Sequence, residues 1–258
     1  MSTSYDFPYE SYWYESYRRV SDFLRATDAA ASRHFESRID QLRIRPDFSD
    51  KFLGAYLPAS TRRRLADLMA ALGKDEIEMH EFLQFGRGVV HDHPACNEFQ
   101  SRLVNDVSDL LGEPVLASYN FLSLYNNLGV CELHMDAPPA TWTLDCCIAQ
   151  SGPWPIYLSP VQPWPRSPDD FAAGWPERVK SSIPFREVIM EPGDALLFAG
   201  SSQWHYRERI PRAQRDNFCH MAFFHFIPEG CADLVNPEDW AGTMGIDAIA
   251  GLIVDTNT

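Results

Sequence analysis

A chain of 258 residues with 45% hydrophobic and 22% charged residues has the balance of a soluble globular protein with a sizeable core, which excludes the disordered and fibrous classes. Its formal net charge of −14 repels a phosphate backbone and an anionic membrane surface alike, so nucleic-acid and membrane partners are disfavoured. Met1 to Phe7 run polar and aromatic with no basic-then-apolar pattern, and no apolar run approaches the roughly 18 residues of a membrane span, which predicts a cytoplasmic protein, here of one domain over 1–258.

The first section, 1–114, reads as mainly helical. Tyr9, Trp13 and Tyr17 recur at i, i+4 and i+8, one face of a helix, and such a stripe is packing. Ser60 and Thr61 cap an expected helix over 62–72 that Gly73 stops, and further helices are expected over 75–85 and over 97–111 before Gly112. Between these two lies His91-Asp92-His93, an HxH that also opens the cupin signature; ahead of Pro94 it reads as a turn or cap.

From Val115 the chain changes to short β-branched, aromatic and Cys-containing runs divided by Gly and Pro. Strands are expected over 118–126, 131–136, 141–149, 155–158, 185–190, 195–198, 204–207 and 217–227. That pattern suits an α+β protein with a mainly β core over 115–230, a two-sheet jelly roll with the N-terminal helices packed against it, and a C-terminal extension over 231–258. Between Gly152 and Trp175 stand Trp154, Trp164 and a density of prolines that deny donors to a sheet, so 152–176 reads as a long loop, either a lid over a site or a rigid surface insertion. The six cysteines show no CxxC spacing and read as reduced thiols, with Cys146 and Cys147 on opposite faces of one strand.

The chemistry concentrates in His134-Met135-Asp136. On a strand, residues i and i+2 share a face, so His134 and Asp136 project together. His205 follows the turn Pro192-Gly193-Asp194 and the apolar run Ala195 to Phe198, a path that returns it across the sheet. Two imidazoles and a carboxylate hold one face of an octahedral metal and leave three positions open, the arrangement with which non-haem Fe(II) activates O2. Of the remaining histidines, His220 and His225 differ by five and point to opposite faces of the last strand, one of them entering the barrel as a supporting group.

Over Tyr119 to Pro228 the chain resembles the Fe(II)/2-oxoglutarate-dependent dioxygenase superfamily, through Tyr125-Asn126-Asn127-Leu128-Gly129, then His134-x-Asp136, then Gly193-Asp194-Ala195-Leu196-Leu197-Phe198 before His205, then Arg215-x-Asn217. The resemblance implies that the jelly roll is a double-stranded β-helix, that His134, Asp136 and His205 ligate Fe(II), that 2-oxoglutarate is the cosubstrate and O2 the oxidant, and that a C–H bond is oxidised, by hydroxylation with desaturation or cyclisation as variants. It also implies that an arginine about ten residues past the distal His pairs with the far carboxylate of 2-oxoglutarate, which selects Arg215 over Arg212; a planar guanidinium matches a carboxylate bidentately. Tyr125, nine residues before His134, and Asn217 are the further expected cosubstrate contacts, or else ordinary buried polar residues. Asp136 argues against halogenation, since halogenating members leave that ligand position vacant. Trp142, Trp204 and Arg207 are candidate substrate contacts, with core packing or a salt bridge as the alternative. The expected substrate is a small molecule such as an amino acid or biosynthetic intermediate; a peptidyl hydroxylase, a non-catalytic jelly-roll binder and a cupin-like metal protein are the competing readings.

Overall fold

The computed structural model describes residues 11–165, 170, 172–211 and 216–254. The strands in chain order are β1 (Lys51–Leu53), β2 (Arg87–His91), β3 (Val115–Tyr125), β4 (Cys131–His134), β5 (Trp142–Gln150), β6 (Ile156–Leu158), β7 (Arg186–Val188), β8 (Ala195–Phe198), β9 (His205–Arg207) and β10 (Cys219–Pro228). They form two sheets, one ordered β1-β8-β5-β10-β3-β2 and the other β4-β9-β6-β7. Every pairing between them is antiparallel. From β3 onward the chain passes back and forth between the sheets, so each faces the other across a shared interior.

Two strands of the larger sheet come from the section expected to be helical. Arg-Gly-Val-Val-His forms β2, which pairs Arg87 with Tyr125 and His91 with Phe121. The helix expected over 75–85 is instead a 3-10 turn, Lys74–Glu76, and the four-residue α4 (Phe82–Phe85). Glu78 is the cause: its backbone N–H and C=O both bond Val89, at 2.8 and 3.1 Å, which withdraws it from any helix. Upstream, α3 (Ala59–Ala71) buries Leu65 and Met69.

α5 (Pro94–Leu111) forms as its sequence dictates. His93 caps it by accepting from Ala95 N at 3.2 Å, Pro94 stands in the first turn where no donor is needed, and Gly112 ends it at φ 75°. Cys96, Gln100, Leu103 and Val107 recur at helical spacing and are buried. Leu103 and Val107 pack on the outer face of the larger sheet, against the same core as Leu122, Leu144 and Phe226. Trp142 belongs to this outer core, 4.8 Å from Phe48 and with its Nε1 bonded to Glu113, which corrects its expected place on the wall of the site.

Alternation splits β5 as expected: Cys146 joins the outer core and Cys147 the core between the sheets, with Trp154, Leu196 and Met221. A third core gathers α1 (Ser11–Thr27), α2 (Ala29–Ile39) and the C-terminal residues around Trp13, Phe35, Trp164 and Trp240. Trp154 and Trp164 are therefore anchors in two different cores, and the described part of 152–176 is pinned down instead of standing free as a lid. Among the described residues no helix is long and apolar enough to cross a membrane.

Candidate active site

His134 closes β4, His205 opens β9, and the antiparallel register sets them directly opposite each other. Their ring centroids are 4.1 Å apart. Two residues on, the backbone N–H of Asp136 bonds Gly200 O at 2.9 Å, which turns the carboxylate toward both rings. Asp136 Oδ1 lies 3.5 Å from His134 Nε2 and 3.6 Å from His205 Nε2. One ligand atom from each residue falls within 4.8 Å of the other two.

The donor set fits a divalent transition metal. A backbone carbonyl only accepts, so the bonds from His134 Nδ1 to Glu132 O (2.7 Å) and from His205 Nδ1 to Gln203 O (2.9 Å) fix a proton on each Nδ1. Each Nε2 is thereby turned to the metal side, the arrangement in which a carbonyl orients a ligating imidazole. Asp136 Oδ2 accepts from Thr143 Oγ1 at 3.0 Å, which leaves Oδ1 to the metal. Burial alone would raise the Asp136 carboxyl, but His205 and His134 override it and hold it well below the usual carboxylate range. Burial, then the neighbouring His134, push His205 down to about 4. Burial also pulls on His134, but Cys131 and Asp136 outweigh it and raise that ring to about 10, so a metal displaces a proton there on binding.

A cavity of about 250 Å³ opens beside the triad, with walls from both sheets. Arg207, two residues past His205 on the same strand face, is 3% exposed. Its Nη1 donates to Trp154 O at 2.6 Å and the guanidinium lies 5.1 Å over the Trp154 ring, which locks it. Its Nη2 stands 3.7 Å from Asp145 Oδ2 and makes no hydrogen bond. Burial drives the Asp145 carboxyl up to about 7 against the pull of Arg207. A second cation, Arg87, lines the cavity from β2, bonded to Tyr125 Oη at 2.8 Å and paired with Glu81.

Of the residues expected at the site, the structure brings together His134, Asp136, His205, Tyr125 and Arg207. The charged neighbour of Arg207 is Asp145, on a strand of the other sheet. Trp204 faces away from His205, in a separate cluster with Leu133 and Met135 and 5.4 Å from Trp175. Asn217 ties two loops, its amide bonded to Pro211 O and its oxygen accepting from Ser151 Oγ, and it does not line the cavity. Arg212 and Arg215 lie outside the described residues. His93 caps α5, whereas His91 ends β2 and reaches the cavity. Of His220 and His225, His225 is the one that lines the cavity, and sequence reasoning did not single out Arg87, Thr143 or Asp145. Their signal is the same period of two that exposed His134 and Asp136: Thr143 and Asp145 alternate on β5, and Arg87, Val89 and His91 on β2.

No family model matches the sequence, and no curated protein matches it. Solved structures do. The non-haem α-ketoglutarate-dependent epimerase SnoN of nogalamycin biosynthesis superposes with a TM-score of 0.54 at 15% identity, over 79% of this chain and 88% of that one. AviO1 from Streptomyces viridochromogenes gives 0.53 at 15% identity, over 76% and 95%. HygX from Streptomyces hygroscopicus, with nickel and 2-oxoglutarate bound, gives 0.50 at 13% identity, over 70% and 83%. The likeness is one of fold: the chain shares the architecture of 2-oxoglutarate-dependent non-haem enzymes, and it carries a His-Asp-His cluster of its own.

Proposed function

We propose that the protein is an Fe(II)- and 2-oxoglutarate-dependent oxygenase acting on a small molecule, and that its two-sheet core is the double-stranded β-helix of that class. The observation that carries this is the convergence of His134, Asp136 and His205, with both imidazole tautomers fixed by backbone carbonyls. When bound, iron and 2-oxoglutarate supply oxidising power from O2, with succinate and CO2 as the cosubstrate's products and a substrate C–H as the target. Asp136 occupies the third protein ligand position, which supports oxidation over halogenation.

The chain's own residues hold, orient and exclude. Arg207 is offered to the far carboxylate of 2-oxoglutarate because it is buried, locked by Trp154 and left with an unbonded Nη2; Arg215 is the competing anchor, from the sequence resemblance. Tyr125 Oη accepts from Arg87 and so keeps its own proton to donate into the cavity. At about 250 Å³ the cavity is below the roughly 300–1,000 Å³ of ordinary ligand pockets, which favours a compact substrate over an inserted peptide. SnoN, named as an epimerase, and SnoK, named as a carbocyclase, act by reactions other than hydroxylation on a related fold, and either outcome is open to this site.

Calorimetric titration of 2-oxoglutarate into the anaerobic Fe(II) protein tests the reading. Binding is expected in the wild type, abolished with Fe(II) affinity in His134→Ala and Asp136→Ala, and weakened at least about tenfold by loss of the carboxylate anchor, Arg207→Met or Arg215→Ala. No binding to the wild type, or unchanged binding in the triad variants, removes the oxygenase and leaves a binder or cupin-like protein.

A further inference from the structure

His225, on the cavity wall, has one hydrogen-bonding position unfilled, and its surroundings define what that position accepts. Opposite it the β3–β10 pairing bulges: Phe224 pairs with Asn120 and Phe226 with Ala117, so Ser118 and Tyr119 face the single residue His225. A bulge re-aims a side chain and frees backbone groups. Gln100 of α5 satisfies the freed carbonyls, its Nε2 donating to Tyr119 O at 3.0 Å and to His225 O at 2.7 Å. The His225 ring stacks on Tyr119 at 4.2 Å, and the β5 register sets it opposite Thr143.

Proton counting gives the tautomer. A carboxylate only accepts, so the single Thr143 hydroxyl proton goes to Asp136 Oδ2. The 3.2 Å contact between Thr143 Oγ1 and His225 Nδ1 then runs from Nδ1–H to the hydroxyl oxygen. Burial pushes the imidazole down to about 4 and keeps it neutral. Nε2 is therefore a bare lone pair, buried, without a hydrogen-bond partner, on a ring that lines the same cavity as the triad.

We propose that His225 Nε2 is the substrate-reading acceptor of this cavity, selecting a small molecule that carries an O–H or N–H donor beside an apolar face. Phe121 supplies the apolar plate next to it, stacked with Phe223 at 4.7 Å and 5.5 Å from the His225 ring. Thr143 fixes this ring against Asp136 through Nδ1, and all three residues line one cavity, so a donor held by Nε2 places its molecule in the cavity of the triad and presents its neighbouring C–H bonds there. The oxygenase reading is needed only for what happens to those bonds.

Two measurements test it. Nitrogen NMR of the labelled protein, with the His225 ring assigned by difference from either variant below, is expected to show a protonated Nδ1 and a bare Nε2; the reverse tautomer overturns the proposal and needs neither metal nor cosubstrate. Phenol and toluene, alike in size and differing by one donor, are then titrated against the anaerobic Fe(II)–2-oxoglutarate protein. Phenol is expected to bind about tenfold tighter, with the preference lost in His225→Phe and retained in His225→Gln, whose amide oxygen is again an acceptor. Absence of phenol binding, equal binding of the two, or a preference that survives in His225→Phe overturns it. Fe(II) and 2-oxoglutarate affinities measured on the same samples separate this failure from failure of the oxygenase reading, in which the cosubstrate itself does not bind.

Discussion

With Arg207 as the proposed carboxylate anchor, its buried pairing with Asp145 bears on cosubstrate affinity. Asp145 has no hydrogen-bond partner for Oδ1, and its Oδ2 stands 3.7 Å from Arg207 Nη2, too far for a hydrogen bond. Burial first, and Asp136 after the opposing Arg207, raise its carboxyl to about 7, with His134 pulling the other way. Above that value Asp145 is an anion that competes with any ligand carboxylate for the guanidinium; below it Asp145 is neutral and Arg207 is free to pair. The affinity for 2-oxoglutarate is therefore expected to rise as pH falls from about 8 to about 6, by no more than about tenfold per unit for a single proton. Asp145→Asn removes the dependence, because its side chain carries no charge at either end. Calorimetry across that range on metal-loaded wild type and Asp145→Asn checks it, and a flat or inverted profile in the wild type takes Arg207 out of the cosubstrate site.

At the scale of the element, the turn between β8 and β9 carries a requirement for glycine that is spatial and not conformational. A Cβ on Gly200 would enter Asp136 Oδ2 and Thr143 Oγ1 and come within 2.7 Å of Ala140 O. Gly200 O also accepts the Asp136 backbone N–H at 2.9 Å, so displacement of this turn moves the carboxylate. Gly200→Ala is expected to weaken Fe(II) binding by about 10–100-fold, the usual effect of disturbing groups that support a ligand, with the fold retained by circular dichroism. Wild-type affinity in that variant would show that the turn is free to yield. Nothing in the sequence marks Gly200, whereas His134 and Asp136 were legible as chemistry, because a period of two is all that is needed to set two side chains on one face. Asp145, Thr143 and His225 obey the same period. Asp145 and Thr143 stayed hidden because each sits in an apolar strand whose inward face is known only from its register with neighbours, and which of His220 and His225 turns inward depends on a bulge that periodicity does not show. Arg87 was hidden one level up, in a strand inside a section that reads as helical, and His91, read there as part of a turn or cap, ends that same strand.

Across the whole molecule, the N-terminal section outside the family resemblance is bonded to the loops beside the His-Asp-His triad. Trp13 of α1 is fully buried, 5.2 Å from both Trp164 and Trp240 in edge-on contact, with its Nε1 bonded to Leu234 O. The next residue, Tyr14, reaches Asp136 O at 2.8 Å and Ser201 O at 3.2 Å with its hydroxyl, one loop on each side of the triad. The aromatic cluster thus holds the helix in place, and the helix holds the loops. These roles separate by mutation. Trp13→Ala leaves a large void in that cluster and is expected to cost about 3–5 kcal/mol in urea denaturation. Tyr14→Phe keeps the ring in the cluster and removes only the hydroxyl, so its stability loss is expected near 1 kcal/mol while Fe(II) dissociates faster than from the wild type. If Tyr14→Phe holds Fe(II) as the wild type does, the contact between α1 and the loops is packing alone, and the metal centre is set by the two sheets without it.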